Sequence, residues 1–237
     1  MLGLYALYET TRGLVVGNRS LAIRHADDVV SIERSLHLYV EASVQRDAGH
    51  VSGLVSTLGV AYLTLHLAVT GLLLIWLHQR RPAAYPFVRT TLLLASGFAV
   101  VGYLVFPTAP PRLSGLGILD TVSAHLPVNL NKGLVSSLYN PYAAVPSMHA
   151  GYALVVGAAL LRQGHHLLTR LAGAAYPAFV VLVIVATGNH YFLDAAAGAL
   201  VDILAAAIAV VLLRRPLASP IVLPTHRPAA VPDRRAA

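Results

Sequence analysis

The 237-residue sequence contains no cysteine and few charged residues. The absence of cysteine excludes disulfides, thiolate catalysis and metal sites with cysteine ligands. Only 11% of the residues are Asp, Glu, Lys or Arg, and 57% are hydrophobic, whereas a soluble domain has roughly 25% charged residues. This composition excludes an ordinary soluble domain and indicates a protein embedded in a membrane.

Charged residues are missing altogether from four long stretches of the chain. The stretches are 51–78, 90–111, 133–161 and 171–193. Each is long enough for a helix that crosses a membrane, which needs about 20 mostly apolar residues. A fifth stretch, 190–213, has the length but carries Asp194 and Asp202, and acidic groups at membrane depth are candidates for function.

The sequence therefore predicts an all-α bundle of six transmembrane helices in a single membrane-embedded domain, 1–215. The predicted helices are 1–17, 53–78, 88–106, 146–162, 168–187 and 190–213. The first is interrupted by Glu9 and Arg12, whose three-residue spacing allows them to pair on one helical face. Residues 216–237 are rich in Pro, Ala and Arg and are expected to form a disordered cytoplasmic tail.

The segment 31–45 has a different pattern. Its apolar residues Ile32, Leu36, Val40 and Val44 recur at helical spacing. We interpret it as an amphipathic helix in the membrane interface; a short soluble helix that caps the bundle is the alternative.

The net charge of +7 comes largely from arginines that group between or after the predicted helices, within 80–89, 162–170 and 214–235. With six helices these groups fall on one side, and the positive-inside tendency places that side in the cytoplasm. The protein is then expected in the cytoplasmic membrane, with the opposite loops facing outward. Contact with anionic lipid headgroups is an alternative role for the same arginines. Neither role requires nucleic acid as a partner. The N-terminus lacks the features of a secretory signal and is expected to belong to the mature protein.

The first outward segment with a chemical pattern runs from Asn140 to His149. Pro146 suits the first turn of a helix, and Ser147 offers a hydroxyl beside the free amides of that turn. Such a helix start favours an anion such as phosphate. His149, in the same turn, is placed to give a proton to a leaving oxygen.

The second segment holds His190 and Asp194, four residues apart near the start of the last predicted helix. That spacing stacks them on one face, where the carboxylate can accept from one imidazole nitrogen and leave the other nucleophilic. A buried histidine satisfied by a carboxylate is the alternative. The presence of His149 on the same side of the membrane favours the catalytic interpretation.

Four further polar residues and one arginine complete the predicted pocket. Arg112 follows the helix 88–106 and would hold two phosphate oxygens with its planar fork, unless it is only a membrane anchor. Asn140, Tyr142 and Asn189 flank the pocket and are candidates for contacts with headgroup hydroxyls. His66 would either bind an acceptor sugar or tie two helices together.

The order of these motifs resembles the type 2 phosphatidic acid phosphatase superfamily. The matching residues are Arg112, then Pro146-Ser-Met-His149, then His190-Tyr-Phe-Leu-Asp194, and the likeness covers roughly residues 55–210. The patterns Phe-Pro-x-Ala-Pro-Pro-Arg and Gly-Asn-His-Tyr-x-x-Asp are most similar to the branch of inositol phosphorylceramide synthases and actinobacterial membrane proteins.

This resemblance implies a mechanism. His190 would attack phosphorus, Asp194 would orient it, and His149 would protonate the departing alkoxide. The phosphohistidine intermediate would be resolved by water or by an acceptor alcohol, with no metal or other cofactor.

The chain departs from the phosphatase branch at three places. Val105 stands where that branch usually has a lysine, Met148 replaces a glycine, and Val183 and Ile184 replace a Ser-Arg pair. Two phosphate-binding cations are therefore absent, although Lys132 is a candidate to compensate. The loss favours a diester, which has less charge to neutralise than a phosphate monoester.

The resulting hypothesis is a lipid phosphotransferase that moves a phospho-headgroup at the outer leaflet, with a phospholipid as donor and a polyol as possible acceptor. Ser147, Arg112 and the helix-start amides would hold the phosphate oxygens. The first alternative is a phosphatase acting on phosphatidic acid or a prenyl phosphate or diphosphate. The second is a transporter or scaffold without chemistry, whose polar residues would line a continuous path through the bundle.

Overall fold

The computed structural model describes residues 19–126 and 140–214. The α-helices in these ranges are α1 (Arg19–Ser35), α2 (Glu41–Gly49), α3 (Leu54–Arg80), α4 (Tyr85–Val105), α5 (Thr121–His125), α6 (Met148–Gln163), α7 (Leu167–Ala186) and α8 (Phe192–Arg214). A short 3-10 helix, Pro111–Leu113, follows α4. The all-α prediction is confirmed for the described residues. The helix predicted over 1–17 and the tail 216–237 lie outside them.

Four of these helices are long and apolar enough to cross a membrane. They are α3, α4, α7 and α8, with 27, 21, 20 and 23 residues. Helix α6 has 16 residues and falls short of the about 20 that a perpendicular crossing needs. Large apolar side chains on the four helices, such as Leu72, Leu104 and Leu200, are exposed on the outside of the bundle. The chain is an integral membrane protein.

The five long helices run in alternating directions, so that their connections collect at two ends of the bundle. Backbone hydrogen bonds join the segments 106–112, 140–147 and 187–194 at one end, which we call the motif end. At the other end, Arg81 contacts His165 in the connection between α6 and α7. The described arginines of the three basic groups lie at this second end, which we call the basic end.

Helices α6 and α7 pack closely because each has a glycine at their crossing. A Cβ on Gly157 would lie 2.5 Å from the carbonyl oxygen of Gly173, a distance that side chains do not reach. The second glycine faces the same crossing, since its Cβ would meet Leu160 at 2.8 Å. Small residues at helix crossings of this kind let two backbones approach within a membrane.

The prediction of one amphipathic helix over 31–45 is wrong. The segment is divided between two helices, α1 and α2, and in the connection between them His37 has a φ of 57°. The exposed face does include Ile32 and Leu36, at 49% and 55% exposure. However, Glu33 and Glu41 are fully buried, because their carboxyl groups bind the start of α8.

Candidate active site

The three motif segments are held to one another by main-chain hydrogen bonds. The bonds run from Thr108 N–H to Tyr142 O at 2.8 Å, from Arg112 N–H to Gly188 O at 3.0 Å, and from Ser147 N–H to Asp194 O at 2.9 Å. Each segment is therefore bonded to both of the others. These segments, which lie far apart in sequence, form one cluster whose backbone is held together by main-chain hydrogen bonds.

The motif segment 140–147 leads into α6, which begins at Met148, two residues later than predicted. Ser147 is the N-cap of the helix, and its hydroxyl accepts from Ala150 N–H at 3.5 Å. Pro146 precedes the cap, in a cis peptide bond with Val145. His149 lies in the first turn of α6, as the sequence predicted.

The motif segment 187–194 leads into α8, which begins at Phe192, also two residues later than predicted. His190 therefore precedes α8. A turn with a left-handed residue, Gly188 at φ 71°, reverses the chain after α7. Asp194, in the first turn of α8, accepts from Tyr191 N–H at 2.9 Å through Oδ2. The same oxygen lies 3.1 Å from Nδ1 of His190. The predicted pair of His190 and Asp194 is therefore formed, but the two residues do not stack on one helical face. Asp194 lies in the first turn of α8, and His190 lies before the helix.

The contacts of His190 define its tautomer. Its Nδ1 faces two acceptors, the Asp194 carboxylate and the main-chain oxygen of Ala144, each at 3.1 Å. Two acceptors at one nitrogen place the proton there, which leaves the lone pair on Nε2. The residue is 5% exposed, and Nε2 has the geometry of a nucleophile that is held in one orientation.

The rings of His149 and His190 lie side by side. Their centroids are 5.6 Å apart, a distance that one phosphoryl group can bridge. His66 approaches His149 on another side, at 4.1 Å between centroids. The Tyr62 ring stacks on His149 at 4.5 Å. Tyr62 was not predicted, although its four-residue spacing from His66 on α3 puts both side chains on one helical face.

Arg112 is buried next to the third motif, on the 3-10 turn rather than at a helix end. Its Nε donates to Asn189 Oδ1 at 2.9 Å, and a second nitrogen lies 3.4 Å from Asp120 Oδ2. Asn189 is itself held by Thr187, to which its amide donates at 3.0 and 3.2 Å. The guanidinium is therefore fixed in orientation. Asp120 was not predicted; it caps α5 by accepting from Ser123 N–H.

The other two predicted pocket residues occupy different positions. Asn140 is buried, and its side-chain oxygen accepts from Tyr142 N–H at 2.9 Å, which shapes the turn before α6. Tyr142 packs against the apolar cluster formed by α1 and Tyr191. Their contacts place them in the scaffold around the site.

The positions that depart from the phosphatase pattern are apolar in their surroundings as well. Val105 is 74% exposed on the outside of the bundle. Val183 and Ile184 are buried in an apolar cluster of α3, α6 and α7. Lys132 lies outside the described residues.

A close contact between helices sets the distance between the second and third motifs. A Cβ on Gly198 would lie 2.3 Å from the carbonyl oxygen of Ser147. Helix α8 therefore rests directly on the start of α6. A larger residue at this position would push the two motifs apart.

Two buried glutamates hold the start of α8. Glu33 accepts from Leu193 N–H at 2.7 Å, and Glu41 accepts from Phe192 N–H at 3.2 Å. Together with Asp194 they satisfy amides that the first turn of a helix leaves without partners. Burial, and then the hydrogen bond to Glu41, raise the pKa of Glu33 from 4.5 to about 8. Glu33 is thus protonated at neutral pH.

This pKa predicts how stability depends on pH. The folded state keeps a proton on Glu33 up to about pH 8, whereas the unfolded chain releases it near 4.5. The contribution to the free energy of unfolding is full below pH 4.5 and is lost as the pH rises to about 8. Thermal unfolding in detergent, followed by circular dichroism, should show Tm falling through this window. The variant Glu33→Gln stays neutral and keeps its hydrogen bonds, so its Tm should fall less; parallel profiles would contradict the assignment.

A family model described as PAP2 superfamily matches residues 27–208. The match extends from α1 into α8 and contains all three motif segments. No curated protein and no solved structure matches the chain.

Proposed function

Since the chain belongs to the PAP2 superfamily, whose members are phosphatases and phosphotransferases, we propose that it transfers the phospho-headgroup of a phospholipid to an acceptor alcohol through a phosphohistidine. It is an enzyme of that superfamily, and phosphorylated lipids are the substrate class that membership supports. The observation that carries the proposal is that the ring centroids of His149 and His190 lie 5.6 Å apart. Asp194 Oδ2 lies 3.1 Å from Nδ1 of His190.

In the first half-reaction, Nε2 of His190 attacks phosphorus. A P–N bond forms as the P–O bond to diacylglycerol breaks, and His149 gives its proton to the departing alkoxide. Asp194 keeps Nδ1 protonated and stabilises the positive charge that develops on the ring. In the second half-reaction, neutral His149 takes a proton from the acceptor hydroxyl. The acceptor oxygen then displaces His190 from phosphorus.

The phosphate oxygens would be held by Arg112 and by the start of α6. The guanidinium is already oriented by Asn189 and Asp120, so no side-chain reorganisation is needed when charge develops. Ser147 and the first amides of α6 supply hydrogen-bond donors where the helix dipole favours an anion.

A phosphodiester suits this site better than a phosphate monoester. A diester carries one negative charge, whereas a monoester carries nearly two at neutral pH. The charge of Arg112 is shared with Asp120. The positions of the two missing family cations are apolar, at Val105 and Ile184. These features favour headgroup transfer over the removal of a terminal phosphate.

For the membrane arrangement we propose six crossings, with α6 and residues 1–17 added to the four long helices. Arginines at the ends of α3, α4, α6, α7 and α8 lie at the basic end. The positive-inside tendency puts that end in the cytoplasm and the motif end at the outer leaflet of the cytoplasmic membrane.

The proposal is tested with purified protein and a phospholipid labelled at phosphorus, incubated with and without inositol or another polyol. Transfer predicts labelled polyol phosphodiester, together with diacylglycerol, only when the polyol is present. Release of phospho-headgroup or free phosphate alone, unchanged by the polyol, would favour hydrolysis and contradict transfer. His190→Gln serves as the inactive control.

A further inference from the structure

A cavity lies at the basic end of the bundle, between α3 and the connection of α6 to α7. Its volume is about 570 Å³. Its lining comes from α3 and from the α6–α7 connection, and includes Trp76, Arg80, Arg81, Leu160 and His165. We call it the basic-end cavity.

The cationic rim of the basic-end cavity is far from the proposed active site. Arg80 is 14 residues beyond His66 on the continuous helix α3, which at 1.5 Å per residue is about 21 Å along the axis. Leu160 is likewise near the far end of α6 from His149. An anion bound by Arg80 at the rim therefore lies far from the two catalytic imidazoles.

The lining has one apolar wall and one cationic rim. Val69, Leu72 and Leu73 form the wall on α3, within the span. The rim holds Arg80 and Arg81 at the end of the same helix, and none of the described residues that line the cavity is acidic. The combination separates an apolar region at membrane depth from a positive region at its surface.

The rim is ordered by contacts among its own members. The guanidinium of Arg81 lies over the Trp76 ring, 5.6 Å from its centroid. The same guanidinium donates to Nε2 of His165 across the gap between α3 and the α6–α7 connection. Arg80 is exposed beside it. The Arg81 guanidinium is therefore held at the rim, next in sequence to an exposed arginine that lines the same cavity.

We propose that the basic-end cavity binds an anionic phospholipid from the leaflet opposite the active site. Arg80 and Arg81 bind its phosphodiester, and one acyl chain lies along the apolar wall of α3. The wall argues for a lipid rather than a free phosphate, because a soluble anion leaves that surface unfilled. Two guanidiniums, with no acidic residue in the described part of the lining, argue for an anionic headgroup rather than a zwitterionic one.

The cavity contains its own reporter, since Trp76 is the only tryptophan in the chain. The protein is reconstituted in phosphatidylcholine vesicles that contain a brominated lipid as either phosphatidylglycerol or phosphatidylcholine, at equal mole fraction. Brominated phosphatidylglycerol should quench Trp76 fluorescence at lower mole fraction than brominated phosphatidylcholine. The preference should fall about fivefold for each of Arg80→Gln and Arg81→Gln, the loss expected for one cation near an anionic surface.

Matched controls are Arg162→Gln and Arg170→Gln, which remove exposed arginines of the basic end outside the cavity lining. These variants should keep the preference for phosphatidylglycerol. Equal quenching by both lipids in the wild type, or equal loss of preference in the control variants, would overturn the proposal. Displacement of the brominated lipid by soluble glycerol phosphate would also overturn it, in favour of a free anion.

The cavity and the catalytic proposal fail independently. The variant His190→Gln should lose turnover and keep the quenching preference. Circular dichroism of each arginine variant verifies the helical fold, and the ratio of the two lipids in one variant cancels any change in the intrinsic fluorescence of Trp76.

Discussion

Replacing His190 with glutamine is expected to lower phospholipid turnover by at least about 10⁴-fold, the scale on which enzymes lose activity with their nucleophile. Glutamine is close in size and can still donate to Asp194. It has no lone pair like that of Nε2, so the P–N bond cannot form. The protein should remain folded, because the hydrogen bonds that join the motif segments are made by the main chain.

The measurement is rapid quenching of the enzyme after mixing with phosphorus-labelled phospholipid. The wild type should carry label that is stable to base and labile to acid, as expected of a phosphohistidine, and His190→Gln should carry none. His50→Gln is a matched control, since His50 is exposed and outside the site. If turnover by His190→Gln stays within about tenfold of the wild type, the loss is far smaller than removal of a nucleophile causes. That result would exclude His190 as the nucleophile.

Much of this site follows from local sequence. The motifs of Arg112, His149 and His190 stand next to long apolar stretches, and alternation of spanning helices brings every second connection to one end of the bundle. Polar groups in those connections were therefore expected to meet. The structure places the second and third motifs within one hydrogen bond of each other, from Ser147 to Asp194.

The details of the helix starts could not be derived in the same way. Helix boundaries depend on capping contacts that differ by one or two residues between similar sequences. Both α6 and α8 begin two residues later than expected. For α8 the reason lies far away in the chain: Glu33 and Glu41 are 160 and 151 residues from the amides that they bind.

Local periodicity was misleading for those glutamates. Charged residues in an amphipathic segment are expected to face water. In the structure they face inward, since the first turn of α8 has amides that the carboxyl oxygens of the glutamates satisfy. The hydrophobic periodicity of one segment does not show which hydrogen-bond donors a distant helix will present to it.

The second large effect is expected for His149→Gln, and it should depend on the leaving group. Diacylglycerol leaves as a strongly basic alkoxide and needs a proton. Loss of the general acid should slow its departure by about 10²- to 10⁴-fold. A 4-nitrophenyl phosphodiester with the same headgroup releases a weakly basic phenolate, so its attack by His190 should be slowed little.

With the nitrophenyl substrate, His149→Gln should show a burst. The first half-reaction needs no acid, but the second still needs His149 to deprotonate the acceptor. One equivalent of nitrophenolate per enzyme should therefore appear quickly, followed by a slow steady rate, and phosphohistidine should accumulate. His190→Gln should show no burst. An equal loss with both leaving groups, without accumulation, would mean that His149 only positions the substrate, since protonation is the one role that a good leaving group makes unnecessary.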